Sequence, residues 1–489
     1  MLSGIKIWVV RALLVLALPL ALLAGIGIWL GYSVLNYEQT DNREHLAAKE
    51  GYLERISLGR GVSRSAPNIV FVLFDDLGFG DLGFTGSRAV STPTLDRLAA
   101  EGIVLSNFYS PAAACTPARA GYLTGRYPLR AGLPSVVFPS DSAMNLVLKL
   151  QDKNLRLPAE EITLADILKS AGYRTGMVGK WHMGDHSPSL PNDFGFDSYF
   201  GALYSNDMTP FALYRNREVE IGAPADQTKL NGWYAREAER FIGQDDARPF
   251  FLYFAHNFPH IPLAVPPERA GTSRGGLYGD VVEGLDWGVA RIIAALKARG
   301  EYDNTLIIVT SDNGPWYQGS PGTYRGRKGD TFEGGMHVPF LAHWPKGLAG
   351  GRVVEGISMG IDLVPTVLDL LGLPLPKDRE LDGKSVLELW RQGGASPHDY
   401  LYFFAGSRLM AVRDAQYKYH DERKLIHSTA ETGFGVGRSR GPWLFDTAVD
   451  ENESYDISMN EPTQTQRFEK VLAAKREEMA RNLRGWVEQ

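Results

Sequence analysis

Two adjacent carboxylates, Asp75-Asp76, and a third beside an amide, Asp312-Asn313, each follow a run of apolar residues. Oxygen donors of this kind suit a hard cation such as Ca²⁺ or Mg²⁺. Asp312-Asn313-Gly314 is by itself a good turn sequence. Two neighbouring carboxylates at the end of a buried strand are different, because their mutual repulsion calls for a cation. Lys180, Lys328 and Arg119 add positive charge, and His182, His256 and His260 can give or take protons. With a divalent ion, such a set binds a tetrahedral oxyanion and stabilises charge as it moves to a leaving oxygen.

The single cysteine, Cys115, opens the run Cys115-Thr116-Pro117-Ala118-Arg119-Ala120-Gly121-Tyr122-Leu123-Thr124-Gly125-Arg126. One cysteine forms no internal disulfide and cannot alone hold a structural zinc. It is either a buried inert thiol or a residue kept for its chemistry, and its neighbours favour the second. Pro117 suits a first helical turn and Gly125 a helix end. Cys115 is thus expected at a positive helix terminus, close to Arg119, where an anion is welcome.

Four apolar runs are expected to position these groups. Ile69–Phe74 ends in Asp75-Asp76, Tyr173–Val178 in Gly179-Lys180-Trp181-His182, Phe250–Phe254 in Ala255-His256 and on to His260, and Leu306–Val309 in Thr310-Ser311-Asp312-Asn313. Ile69–Phe74 is a continuous apolar run, as expected for a strand buried on both faces. Between them, Thr163 and Asp166 form a capping-box pattern before Leu164, Ile167 and Leu168. Val281, Val282, Leu285, Val289, Ile292, Ile293 and Leu296 recur at helical spacing. Alternating strands and helices predict an α/β fold with a largely parallel sheet. Ligands in such folds bind beyond the carboxyl ends of the strands, where all four polar clusters converge. From about Ser396 short strand candidates crowd together (Tyr400–Phe404, Leu409–Val412, Tyr417–Tyr419). A helical tail over about Gln464–Trp486 follows, giving a smaller antiparallel subdomain.

The chain of 489 residues is 44% hydrophobic and 22% charged, and its net charge of -6 gives no electrostatic footprint for nucleic acid. Ala12 to Tyr37 carries no charge, and about 26 residues suffice to cross a bilayer core of ~30 Å. Lys6 and Arg11 before it, and Glu38 and Asp41 after it, keep the N-terminus cytoplasmic and send the body outward. The segment is read as an uncleaved anchor, with cleavage near Gly25 and Gly27 as the alternative. Export follows either way. The expected organisation is an anchor or signal over 1–37, a polar linker over 38–66, a catalytic domain over 67–395 and an α+β subdomain over 396–489. Gly78-Phe79-Gly80-Asp81-Leu82-Gly83 fits a dinucleotide fingerprint. Asp75 and Asp76 would oppose a pyrophosphate there, and Pro93 interrupts the strand that should hold the ribose.

The run from Cys115 to Arg126 resembles the signature of the type I sulfatases. The likeness continues through Asp75-Asp76, Gly179–Gly184, Tyr204-Ser205-Asn206-Asp207, Pro259-His260-Ile261-Pro262, Asp312-Asn313-Gly314 and Arg327–Gly335. The order is most similar to the arylsulfatase A-like branch. Ala118 stands where serine is frequent.

This resemblance implies an alkaline-phosphatase-like α/β/α sandwich with a mixed, mostly parallel sheet. It also implies a small C-terminal antiparallel sheet with a terminal helix. It further implies hydrolysis of aryl or carbohydrate sulfate monoesters by a formylglycine made from Cys115. The hydrated aldehyde would be the nucleophile, giving a covalent sulfo-enzyme intermediate. Asp75, Asp76, Asp312 and Asn313 would bind Ca²⁺ or Mg²⁺, and Arg119 and Lys180 would hold the nucleophile. His182 would accept a proton, His260 and Lys328 would serve the leaving oxygen, and Ser205 would contact substrate. His256 competes with His260 for the acid role, and the His-x-Pro motif favours His260. A formylglycine-generating enzyme is the implied maturation partner. The nearest alternative is a phosphonate monoester or phosphodiester hydrolase of the same superfamily. Trp316, Tyr204, His337 and Gly433–Gly441 are further candidates for the pocket rim.

Overall fold

The computed structural model describes residues 22–488 apart from 24, 26, 28, 30, 33, 60 and 430–432. A ten-stranded sheet forms its centre. In chain order the strands of the protein are β1 (Asn68–Phe74), β2 (Ile103–Leu105), β3 (Phe108–Tyr109), β4 (Arg174–Gly179), β5 (Ser198–Gly201), β6 (Leu213–Arg215), β7 (Glu218–Ile221), β8 (Phe250–Ala255), β9 (Thr305–Ser311), β10 (Phe340–His343), β11 (Arg352–Val354) and β12 (Ser358–Met359). They continue with β13 (Leu401–Ala405), β14 (Arg408–Arg413), β15 (Tyr417–Thr429) and β16 (Gly433–Asp446). The large sheet runs β11-β2-β10-β9-β1-β8-β4-β5-β6-β7. Its middle, β9-β1-β8-β4-β5, is parallel, and β10, β6 and β7 add antiparallel pairings.

The four apolar runs are the four adjacent central strands β9, β1, β8 and β4. Every residue of β1 is buried because helices cover both faces of the sheet. Ile69, Phe71 and Leu73 join one core with Tyr122, Leu123, Ile167 and Leu168. Val70, Val72 and Phe74 join the other with Leu95, Val281, Leu285 and Val289. Burial of each such side chain contributes about 1.5–3 kcal/mol. Helices α2 (Pro93–Glu101), α5 (Leu230–Ile242) and α6 (Gly276–Ala298) lie on one face, and α3 (Cys115–Thr124), α4 (Leu164–Ser170) and α7 (Leu363–Leu371) on the other. The capping box before α4 is formed, with Asp166 N donating to Thr163 Oγ1 at 3.1 Å and Thr163 N to Asp166 Oδ2 at 2.9 Å.

Strands β13 to β16 make a separate antiparallel sheet. With α8 (Pro462–Arg481) it encloses a third core around Phe403, Leu444, Phe468 and Leu472, which also takes in Tyr109 and Met359. The terminal helix therefore stops before the expected Trp486. That residue instead pairs its backbone with Arg379, and its indole packs under the guanidinium groups of Arg126, Arg379 and Arg484. Gly433–Gly441, a candidate for the pocket rim, is part of β16 in a long hairpin with β15.

The 38–66 segment also differs from expectation. It is no solvated linker, since it forms α1 (Arg43–Leu58), capped by Asn42 and docked on the body through His45, Lys49, Tyr52 and Ile56. Two of those four inward residues are polar, which hid the helical spacing. Lys49 Nζ donates to Glu161 O at 2.7 Å, and the His45 ring stacks on Trp486 at 3.8 Å. Most of the Ala12–Tyr37 segment lies outside the described residues. Among the described residues no helix is long and apolar enough to cross a membrane.

Candidate active site

The parallel register of β9, β1, β8 and β4 carries their polar continuations to one edge. The ladder persists past the strands, with Asp312 N donating to Phe74 O at 2.9 Å and His256 N to Leu73 O at 2.9 Å. Lys180 N donates to Ala255 O at 2.6 Å. Gly179, at φ +117°, makes that approach possible, since a Cβ there would lie 1.9 Å from Ala255 O. Helix α3 meets the same edge with Cys115 at its first residue, and Gly125 closes it in a left-handed conformation.

Ligand atoms of Asp75, Asp76, Cys115 and Asp312 all lie within 4.8 Å of one another, and all four residues are buried. Asn313 Nδ2 donates to Asp76 Oδ1 at 2.8 Å. Cations ring this core. Lys180 Nζ lies 2.5 Å from Asp75 Oδ2 and 3.1 Å from Ser205 Oγ. Arg119 donates through Nε and Nη2 to Asp312 Oδ2, at 3.0 and 2.9 Å, and through Nη1 to Lys180 O at 2.8 Å. Lys328 Nζ straddles both oxygens of Asp76, at 2.8 and 2.9 Å. Asp76 and His182 hold positive φ angles of 66° and 62°, strain of the kind that collects at functional sites.

Burial opposes ionisation of Asp75, but Lys180, His260, Arg119 and Lys328 outweigh it and hold the carboxyl well below its ordinary range. Asp312 goes the other way. Burial and the adjacent Asp75 push it up to about 7 against the pull of Arg119. Burial, reinforced by Asp75, raises the Cys115 thiol well above its usual value, so a thiolate is disfavoured. Its sulfur sits 3.9 Å from Asp76 Oδ1. Burial opposes the charge on Lys328, yet Asp76 carries its ammonium well above the ordinary lysine value.

The donor set fits a hard cation. Three carboxylates and an amide converge, and Asp75 Oδ1 and Asn313 Oδ1 are buried without a hydrogen-bond partner. The raised pKa of Asp312 points the same way, because burial and the neighbouring Asp75 both oppose its charge and a cation would relieve them.

The three histidines separate by position. His182 Nε2 lies 3.1 Å from Val137 O, where its N–H donates, and Nδ1 has no partner. Burial, then Lys180 and Arg119, depress its pKa well below the usual value. His260 Nε2 is 3.7 Å from Asp76 Oδ2, and its Nδ1 is 2.6 Å from Ile261 O and 3.4 Å from Ser205 Oγ. Burial and Lys328 lower its pKa. His256 instead accepts from Phe258 N at Nδ1 and packs among the rings of Tyr234, Phe254 and Phe258, with its pKa lowered to about 3 by burial. Only His260 of the two reaches Asp76 and Ser205.

Other expected positions fare unequally. Tyr204 lines a cavity of about 300 Å³ with Ser205, Asp141, Asp185, Met208 and Tyr214. His337 is buried, its Nε2 2.7 Å from Ser106 O, and it does not form a rim. Trp316 is part-exposed on the loop over 315–322. Gly78 and Gly80 serve that loop, since a Cβ at Gly78 would lie 2.1 Å from Ser320 O and one at Gly80 2.5 Å from Gly322 N.

The sequence reading missed a buried network behind Lys328. Glu333 accepts from Tyr109 Oη at 2.6 Å and from Lys418 Nζ at 2.7 Å, and Lys418 also lies 3.5 Å from Glu453. His420 Nε2 is 2.6 Å from Glu453 Oε1. Lys418 and His420 alternate with Tyr417 and Tyr419 on one strand, and that alternation was the available signal.

The sulfatase family model matches residues 67–373, and a model of the N-sulphoglucosamine sulphohydrolase C-terminal region matches 327–479. The chain is 38% identical over 377 residues to rat (Rattus norvegicus) N-acetylgalactosamine-6-sulfatase, covering 72% of this chain and 71% of the relative. It is 35% identical over 457 residues to human (Homo sapiens) arylsulfatase A, covering 84% and 87%. Among solved structures, a sulfatase from Pseudoalteromonas sp. superposes with a TM-score of 0.74 at 27% identity, over 90% of this chain and 95% of the other. The fold and the convergence of the sulfatase motifs at one sheet edge agree with these likenesses. The chain belongs to the type I sulfatase family and is a sulfuric ester hydrolase.

Proposed function

We propose that the protein hydrolyses aryl or carbohydrate sulfate monoesters at the β9-β1-β8-β4 edge, with residue 115 as a formylglycine. One observation carries this reading. Cys115 stands at a helix N-terminus among three carboxylates and two lysines, where burial and negative neighbours suppress the thiolate. A thiol serves poorly there, whereas an aldehyde hydrate supplies a neutral attacking hydroxyl and a second hydroxyl for sulfate release. Asp75, Asp76, Asp312 and Asn313 would hold a Ca²⁺ or Mg²⁺ ion, which supplies Lewis-acid stabilisation of the sulfuryl oxygens. Conversion of Cys115 implies a formylglycine-generating enzyme as a partner.

The roles of the other residues follow from their contacts. Arg119 is fixed by Asp312 and by Lys180 O, and Lys180 by Asp75 and Ser205, so both cations are pre-positioned for an anion. His182 is neutral, with its proton directed to Val137 O and a free lone pair on Nδ1. That atom accepts the hydroxyl proton during sulfate release. His260 directs Nδ1–H to Ile261 O, leaving Nε2 to carry the proton given to the leaving oxygen. Arrival of an anionic sulfate offsets Lys328 and favours that protonated form. Lys328 stabilises the leaving oxygen electrostatically, and Ser205 contacts the sulfate or the substrate.

The Ala12–Tyr37 segment supports an exported enzyme anchored in a membrane, with its body outside the cytosol. A phosphonate monoester hydrolase of Agrobacterium radiobacter shares the fold at a TM-score of 0.58 and 20% identity. Paired aryl sulfate, phosphate diester and phosphonate ester substrates test the assignment. Preference for the sulfate by about 10²-fold or more in kcat/KM is expected, and preference for either phosphorus ester would overturn it.

A further inference from the structure

The segment from 134 to 150 joins the catalytic edge to an outward-facing apolar helix. At its start, Val137 N donates to Thr116 Oγ1 at 3.3 Å, and Val137 O is the partner of His182. Ser140 N donates to Asp185 Oδ2 at 2.8 Å, inside the cavity that holds Ser205 and Tyr204. The chain then forms a helix over Ala143–Leu150 with Asn145 and Leu148 turned inward. Met144, Leu146 and Val147 face out, 47%, 43% and 38% exposed. This inverts the usual pattern, in which the apolar face of a surface helix meets the core. Such a patch at the mouth of a site marks a contact surface.

The neighbouring chain says what covers it. Tyr37, the last residue of the uncharged stretch that begins at Ala12, donates its hydroxyl to Lys153 O at 2.5 Å. Gln39 accepts from Leu155 N at 2.8 Å and donates to Arg156 O at 3.0 Å. The described apolar residues just before Tyr37 are themselves exposed, Leu35 at 86% and Trp29 at 61%. Tyr37, Glu38 and Gln39 line a second cavity of about 310 Å³ with Asn145 and Lys149. Ser140 and Asp185 border both this cavity and the one at Ser205. The end of the candidate membrane segment, the exposed helix and the mouth of the site therefore adjoin. Docking of α1 holds them there, because no free tether separates the segment from the body.

We infer that the helix over Ala143–Leu150 is a second membrane contact, which lies in the bilayer interface and sets the mouth of the active site against the lipid surface. This rests on the proposed anchoring and the proposed active site. Met144, Leu146 and Val147 enter the acyl boundary, while the stem of Lys149 lets its ammonium reach the headgroups. Substrates presented at a bilayer surface thus reach the cavity without leaving it. The helix carries one positive charge and lies near Asp141, Asp152 and Asp185, so a zwitterionic lipid suffices.

The test uses the full-length chain with Val147→Cys bearing an environment-sensitive fluorophore and phosphatidylcholine vesicles with brominated acyl chains. Val449→Cys is the reference, since Val449 is 85% exposed on the C-terminal subdomain. Quenching at position 147 should exceed that at 449 at least about twofold, because an interfacial helix sinks roughly 5–10 Å into the headgroup and acyl boundary. Equal emission and quenching at both positions would overturn the inference. A vesicle-independent shift at 147 accompanied by dimerisation would also overturn it, assigning the patch to a second copy of the chain. Combined Met144→Ser and Leu146→Ser in the labelled Val147→Cys chain should abolish the difference, and the unlabelled Met144→Ser, Leu146→Ser, Val147→Ser variant should keep kcat/KM on a soluble aryl sulfate unchanged. Loss of that aryl sulfatase activity in the parent chain would count against the proposed function alone. The intact mass reports separately whether the N-terminal segment is retained.

Discussion

The protein buries two clusters of charge less than one chain segment apart, and they are built on opposite principles. At the strand edge Asp75, Asp76 and Asp312 converge on one another, two buried oxygens lack partners, and the backbone at Asp76 is left-handed. Between the two sheets, Glu333 and Glu453 are bridged by Lys418, with Tyr109, Arg413 and His420 completing the ring. The segment from Arg327 to Met336 serves both, since Lys328 enters the first cluster and Glu333 the second. Like charges gathered with spare lone pairs suit a cation, and the lysines beside them suit an anion. Carboxylates whose oxygens all find a donor, as those of Glu333 and Glu453 do, describe a joint.

Breaking one member of each cluster should expose this contrast. Cys115→Ala should lower turnover at least about 10⁴-fold with an unchanged circular dichroism spectrum, because the attacking group is gone and the fold is not. Lys328→Ala should reduce kcat about 10²–10³-fold, as expected for removal of one preorganised charge, while Tm changes little. Lys418→Met should do the reverse at first order. It removes the ammonium that bridges two buried carboxylates and should cost about 3–5 kcal/mol in denaturant unfolding.

A pH titration sharpens the distinction between ligand-awaiting and structural acids. Glu161 is fully buried against Arg126, Arg484 and Arg379, which overcome desolvation and pull its pKa from 4.5 to about 2. A depressed carboxylate stabilises the fold above its unfolded pKa, and that stabilisation fades as pH falls from about 4.5 towards 2. The loss should amount to about 3 kcal/mol and should vanish from the pH profile of Glu161→Gln. The smallest effect concerns α1. Asn42→Ala removes the acceptor for Glu44 N and His45 N and should cost about 1 kcal/mol in unfolding, with kcat/KM unchanged.

Much of this architecture was legible in the sequence because the central strands are buried on both faces. A strand such as Ile69–Phe74 has no polar residue to blur it, and the acids that follow mark where it ends. The capping box at Thr163 and the first turn at Pro117 were local signals with local outcomes. The misreadings share one cause, which is polar residues facing inward. His45 and Lys49 made α1 look solvated, and Lys418 and His420 hid the joint between the sheets. A composition-based reading assigns such residues to water, whereas here each finds a buried partner. The glycines at Gly433–Gly441 misled for a related reason, since the hairpin that holds them is defined by its pairing partner and not by its own residues.

The central claim is that the catalytic cluster is built around a modified residue 115. Mass spectrometry of the peptide containing residue 115, from protein made in its native host and active on an aryl sulfate, tests it directly. The mass of the aldehyde in place of the thiol is the predicted result. An unmodified cysteine in that active protein would contradict the account.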